Sequence, residues 1–313
     1  MTDAKRVLVT GAGGFIGRWS VPALLGMGFE VHAVLSRANS VVPEELRGAT
    51  VHSSDLLVES DAEALMRSVR PSHFLHFAWI ATPGAYWQST DNPRWLSASE
   101  HLLRLFRDGG GVRAVLAGSC VEYDWTRGGI CEERSSALAD ENNGPISRYA
   151  AAKLAMAKVL AQLAAEGRMS AAWGRIFFQF GPHEYPERLV PSVIRNLLMN
   201  KTALCTHGRQ VRSFLHAADV GSAFASLLNG SVDGPVNIGS DESITLAELI
   251  ERIGRQIGRP ELVRLGARPA PADEPAVLLP DVRRLHDELR WRPHFTLDQG
   301  LKDTIEWWRR QPS

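Results

Sequence analysis

Short apolar runs alternate along this chain with longer stretches of helical periodicity. Val7-Leu8-Val9-Thr10 ends at Gly11 and reads as a buried parallel strand. Phe15, Ile16, Trp19, Val21, Leu24 and Leu25 then recur at helix spacing. Pro22 falls among them and predicts a local bend, because it removes a backbone donor. Residues 31–35 read as a second strand, 51–56 as the next, and 61–69 as a helix. Residues 73–79 form a fourth strand-like run, 95–106 a helix that should cover one sheet face, and 112–119 another strand. Residues 147–158 are a run of strong helix formers. Farther on, 246–257 and 298–310 read as helices around a Pro/Ala-rich loop at 267–280. Trp307-Trp308 is expected to pack the last helix or to make a dimer contact. No internal repeat or low-complexity tract appears.

The chain has 313 residues, enough for a sizeable core and one or two domains. Lys and Arg total 35, and so do Asp and Glu, which argues against a nucleic-acid binder that relies on bulk positive charge. The cysteines at 120, 131 and 205 are odd in number and widely spaced, so neither a disulfide framework nor a metal site is suggested. No run of about 20 apolar residues and no long apolar leader is seen, which sets the expectation of a cytoplasmic protein without membrane partners.

The candidate chemistry begins at Gly11-Ala-Gly-Gly-Phe-Ile-Gly17. Glycines 11, 14 and 17 lie where a strand passes into a helix, so backbone N–H groups and the positive helix end would face a pyrophosphate. The spacing is G-x-x-G-x-x-G and differs from the ordinary dinucleotide fingerprint. The second strand ends Leu35-Ser36-Arg37 without the acid that would bind ribose hydroxyls. Arg37 is either a contact for a 2′-phosphate, which favours NADP over NAD, or a solvated surface charge. Asp55, followed by Leu56, is placed either to accept from an adenine amino group or to cap the next helix. His76 reads as a packed core histidine rather than a ligand. Residues 81–87 form an aromatic loop at a strand's carboxyl end, where doubly wound sheets bind ligands. Tyr149 and Lys153 stand four apart, so both point from one helix face. A cation beside a phenol favours the phenolate, and such a tyrosine exchanges a proton with a sugar or alcohol oxygen. Ser119, at the end of its strand, has a hydroxyl able to donate to a reacting oxygen.

Together, Thr10-Gly-Ala-Gly-Gly-Phe-Ile-Gly17, Ser119 four before Tyr123, and Tyr149-x-x-x-Lys153 resemble the extended short-chain dehydrogenase/reductase family, especially its nucleotide-sugar epimerases, dehydratases and reductases. Arg175-Ile-Phe-Phe-Gln-Phe-Gly181-Pro182, the run from Gly208 to Val220, and Pro235-Val-Asn-Ile-Gly239 extend the resemblance over nearly the whole chain. It implies an α/β fold: a doubly wound parallel Rossmann sheet with a smaller discontinuous substrate domain. Residues 1–180 with 211–240 would form the dinucleotide-binding part, and 181–210 with 241–313 the nucleotide-sugar part. It implies Tyr149 as acid/base, Lys153 holding the nicotinamide ribose and lowering the Tyr149 pKa, and Ser119 positioning the reacting oxygen. Gly11, Gly14, Phe15, Ile16 and Gly17 would line the cofactor's pyrophosphate, and Asp55 with Leu56 its adenine. Arg212 would take the substrate's diphosphate, with Arg188, Cys120 and His183 as further substrate contacts. A homodimer is also implied.

Three departures narrow the expected reaction. Dehydratases of the family carry an acid two residues after the catalytic Ser/Thr, where this chain has Val121; Glu122, one further on, is expected to point elsewhere. Phe178 replaces the asparagine of the Arg-x-x-Asn segment. Gly181-Pro182-His183 resembles a reductase branch whose histidine is an acid, but that branch has a cysteine two after its serine where Cys120 comes one after. The expectation is NADPH-dependent reduction of a nucleoside-diphosphate 4-keto-(6-deoxy) sugar, with NAD(H) as the other cofactor. The alternatives are a 4-epimerase with tightly bound NAD, and a non-catalytic NADP-binding sensor, a class that typically lacks the Tyr/Lys pair.

Overall fold

The computed structural model describes residues 5–36, 41–140, 146–271 and 274–311. Its main sheet begins with β1 (Arg6–Thr10), β2 (Glu30–Leu35), β3 (Thr50–Ser53), β4 (His73–His76) and β5 (Arg113–Ser119). After the short β6 (Gly129–Cys131) come β7 (Ser170–Ile176), β8 (Phe178–Phe180), β9 (Ala203–Leu204), β10 (Val211–His216), β11 (Gly234–Ile238) and β12 (Ser243–Thr245). The seven-stranded sheet has the order β11-β7-β5-β4-β1-β2-β3, and all its pairs are parallel. Strand order reverses between β1 and β4, the crevice where doubly wound sheets hold ligands. β4 pairs with β5 only as far as His76 with Leu116, whereas β7 follows β5 to Ser119. Ala117–Ser119 therefore runs past its neighbour on one side.

Strand alternation fills both faces. Val7 and Val9 pack into one core with α1 (Gly17–Gly26), while Leu8 faces the opposite core. The first core also contains Val220, Phe224 and Leu228 of a later helix over 217–229. The second is covered by α2 (Glu59–Val69), α3 (Asp91–Asp108) and α4 (Arg148–Ala165). α1 continues through Pro22, with Ser20 Oγ donating to Gly17 O in the preceding turn. His76 is a core residue, as its run suggested. Its Nδ1 lies 2.7 Å from Thr10 Oγ1 and its Nε2 2.9 Å from Ser99 Oγ, and burial pushes its pKa down to about 3.

Between α5 (Leu189–Leu198) and α7 (Leu246–Ile257) runs α6 (Ala217–Asn229), which packs into the first core; a third core surrounds α5, α7 and α8 (Leu297–Arg309) on a small sheet β12-β10-β8. The division expected at residue 211 differs from the strand pairing. β10 joins β8 and β12, and the chain returns to the main unit only with α6, whose Val220 and Phe224 sit in the first core. Val282, Leu285 and Trp291 also return to that core, although 241–313 was assigned to the smaller part. Burying these three apolar side chains ties the segment back to the main sheet. Among the described residues no helix is long and apolar enough to cross a membrane.

Candidate active site

The turn after β1 is built so that backbone alone occupies it. Gly11 has φ +67°, and a Cβ there would lie 2.8 Å from Ala78 N. Gly14 N donates to Gly11 O at 3.0 Å, and a Cβ on Gly17 would stand 2.2 Å from that same oxygen. Phe15 and Ile16 are half-buried in the turn, and Gly14 is exposed. α1 begins with no side-chain cap and no acid in its first turn. An exposed, side-chain-free turn leading to an uncapped helix start suits the pyrophosphate of a dinucleotide. Asp55 is exposed, and its Oδ1 accepts from Leu57 N at 3.0 Å. It therefore caps its own turn and not α2, which starts at Glu59 after an uncapped Val58. Leu56 is buried in the second core. Arg37 lies outside the described residues.

At the carboxyl edge of the same sheet, Ser147 caps α4 by accepting from Ala150 N at 3.1 Å. That cap sets Tyr149 in the first helical turn, with Lys153 one turn on. The Ser119 hydroxyl, at the end of β5, lies near the Tyr149 phenol. Burial nevertheless raises the phenol's pKa above its ordinary value; Tyr86 and Glu122 push the same way, and Ser119 opposes them.

Lys153 is engaged by groups other than the phenol. Its Nζ donates to Ala117 O at 2.9 Å and stands 3.9 Å from the Trp79 ring centroid, against 5.8 Å for Tyr149. The ammonium is thus turned toward the unpaired margin of β5. Burial lowers its pKa to about 7, with Glu122 opposing.

The aromatic loop forms the neighbouring wall. Tyr86 meets Tyr149 edge to face at 4.9 Å between centroids, and Trp87 lies 6.4 Å from Tyr149. The Arg188 guanidinium lies 5.9 Å from the Tyr86 ring centroid, so this arginine borders the same wall. Asn92, fully buried at the start of α3, accepts from Trp79 Nε1 at 2.9 Å and donates to Tyr86 O at 2.7 Å. Neither Trp79 nor Asn92 was singled out from the sequence. The available signal was a large aromatic immediately beyond a strand's carboxyl end.

Beneath the serine, Glu122 is fully buried and points inward, as its position suggested. It accepts from Ser119 N at 2.7 Å, from Trp173 Nε1 at 2.9 Å and from Arg175 Nε at 2.9 Å. Arg175 also donates to the Tyr123 hydroxyl, which donates to Asn237 Oδ1.

Three expected substrate contacts sit elsewhere. Cys120 is buried with Tyr123, Cys131, Phe177 and Leu278, and burial pushes its thiol up to about 12. Arg212 is 1% exposed; it donates to Glu274 Oε1 at 3.0 Å and to the carbonyls of Val211 and Pro275. Phe178, in place of the asparagine, lies 5.3 Å from that guanidinium. His183, with φ +70°, has its Nε2 3.1 Å from Glu45 Oε1 and its ring 4.6 Å from that of Trp307. Its polar edge is therefore spent on the segment after β2, and Tyr149 is not among its contacts.

A parallel sheet of this order, with a bare glycine turn and a Ser/Tyr/Lys group at its carboxyl edge, defines a dinucleotide-binding α/β protein. The profile of the NAD dependent epimerase/dehydratase family matches residues 7–239, and the chain belongs to that family, within the extended short-chain dehydrogenases/reductases. The chain is similar to a dTDP-4-dehydro-6-deoxy-D-allose reductase of Streptomyces bikiniensis, 26% identical over 97% of this chain and 96% of that protein. It is 31% identical over 147 residues to a mouse (Mus musculus) dTDP-D-glucose 4,6-dehydratase, a match spanning 42% of this chain and only 39% of that protein's length. Among solved structures, a dTDP-glucose 4,6-dehydratase from Streptomyces venezuelae with NAD bound superposes with a TM-score of 0.81, at 25% identity over 97% of each chain.

Proposed function

We propose that this chain reduces the 4-keto group of a nucleoside-diphosphate 4-keto-(6-deoxy) sugar, with NADPH as the favoured reductant. The observation that carries the reading is the placement of Tyr149, half-buried in the first turn of α4 and packed edge to face on Tyr86, where desolvation favours the protonated phenol. Reduction of a carbonyl needs a proton donor at the developing alkoxide, whereas oxidation of an alcohol needs a base. A nicotinamide, when bound, supplies the hydride. Tyr149 then gives its proton to the carbonyl oxygen, and Ser119 hydrogen-bonds that oxygen. Glu122, tied to Arg175, Trp173 and Ser119 N, is not free to act as the acid of a dehydration. The reductase of Streptomyces bikiniensis, similar over nearly the full length of both chains, supports the same class of substrate. NADP over NAD rests on the Leu35-Ser36-Arg37 sequence alone.

The test is loss of absorbance at the reduced-nicotinamide band, with NADPH and NADH assayed separately against dTDP- and UDP-linked 4-keto-6-deoxy sugars. Stoichiometric consumption is expected, fastest with NADPH, and Tyr149→Phe should lower turnover by about 10²-fold or more while dinucleotide binding persists. Interconversion of 4-epimers without net consumption would replace the reading with an epimerase.

A further inference from the structure

Lys153 is almost wholly removed from water, at 3% exposure, yet few polar atoms meet its ammonium. Its hydrogen-bond partner is Ala117 O at 2.9 Å. The other close neighbour is the face of Trp79, 3.9 Å from Nζ to the ring centroid, far inside the distance at which a cation is attracted to an indole. The Tyr149 and Trp173 rings are farther off, at 5.8 and 5.9 Å. The charged and titratable groups around Nζ are Glu122 from the turn after β5, Tyr149 on α4, and His76 of β4, which is neutral. Glu122 already serves Arg175, so its charge is largely compensated. Trp79 is itself fixed: its Nε1 donates to the fully buried Asn92, whose amide also holds the loop bearing Tyr86, the ring packed on Tyr149.

We propose that Trp79 is a positioning residue for the active site: its indole face, anchored by Asn92, keeps the buried Lys153 charged and stationed against the margin of β5. The proposal rests on the reading of Tyr149 and Lys153 as the catalytic pair, but its structural half stands without that reading. In a site where desolvation favours the neutral amine, an indole face favours the ammonium. Without it, Lys153 loses its proton at lower pH. A side chain that merely fills space would leave the protonation of Lys153 unchanged.

The chain contains five lysines, at 5, 153, 158, 201 and 302, so selective 13Cε labelling of lysine gives a spectrum that is simple to assign. In the wild-type protein one ε-methylene proton signal, absent in Lys153→Met, should lie upfield of the other four through the indole ring current. It should titrate well below the ordinary lysine value, near 7. In Trp79→Leu the signal should return toward the others and titrate about one pH unit or more lower. Trp79→Phe, which keeps an aromatic face, should restore most of the titration midpoint. If no upfield lysine signal is found in the wild type, or if Trp79→Leu leaves it in place, the proposal is overturned without any variant having to be active. In the reductase assay, the alkaline limb of kcat/KM should move to lower pH in Trp79→Leu and return in Trp79→Phe. A uniform loss at every pH would assign Trp79 a packing role only. An inactive wild type with the upfield signal present would sink the reductase reading and leave the indole–ammonium pair standing.

Discussion

Replacing Lys153 by methionine should make the protein more stable at neutral and acidic pH, although the residue belongs to the candidate catalytic group. Lys153 is 3% exposed and its ammonium titrates at about 7, against an ordinary value of 10.5. The folded chain therefore binds fewer protons than the unfolded chain between those limits, and wild-type stability rises with pH across the window. Below about pH 7 the folded state carries the full cost of a desolvated charge, about 5 kcal/mol; near pH 9.5 only about 1–2 kcal/mol remains. Methionine has a similar volume and no charge, but it forfeits the hydrogen bond to Ala117 O, worth about 1–3 kcal/mol. The variant should thus be stabler by about 2–4 kcal/mol at pH 6, with the advantage vanishing toward pH 9.5. Urea unfolding of both proteins at the two pH values measures it, and the difference between proteins cancels groups that titrate in both. A stability difference that does not change with pH would refute the assigned burial of this charge.

Gly17→Ala puts a methyl group 2.2 Å from Gly11 O, so the turn must open. Calorimetric titration should find dinucleotide affinity lowered by about tenfold or more, with about 1–3 kcal/mol of stability lost. Arg175→Leu strands the Glu122 carboxylate in the core and should cost about 3–5 kcal/mol in denaturant unfolding, while Arg175→Leu with Glu122→Gln should recover part of it. If the single variant unfolds like wild type, the buried pair does not carry the load assigned to it.

The main sheet was legible because its strands are uninterrupted apolar runs that end in turns, and 113–119 and 246–257 fall almost where the pattern put them. β8 and β10 were less visible. Phe178–Phe180 follows β7 after a single residue, so the change of sheet leaves no break in composition. The glycine turn and the Tyr149/Lys153 spacing are local patterns, and a local pattern survives in sequence. What the side chains do there depends on distant partners. Lys153 turns to Ala117 and Trp79, Arg212 is taken by Glu274, and His183 by Glu45; all these partners are remote in sequence. Glu122 could be read as absent from the cleft, but its pairing with Arg175 could not be read from spacing.

The extra length of β5 beyond β4 has a cost of its own. Alternate residues of a strand direct their backbone groups to the same side, so Ala117 and Ser119 face one way, past the end of the shorter neighbour. Buried backbone groups left without a ladder partner must be satisfied by other groups. Here Lys153 takes the Ala117 carbonyl and Glu122 takes the Ser119 amide. The groups that shape the reaction centre therefore also complete the hydrogen bonding of a buried strand end. A chain stripped of both would leave two buried backbone groups unpaired, at about 1–3 kcal/mol each.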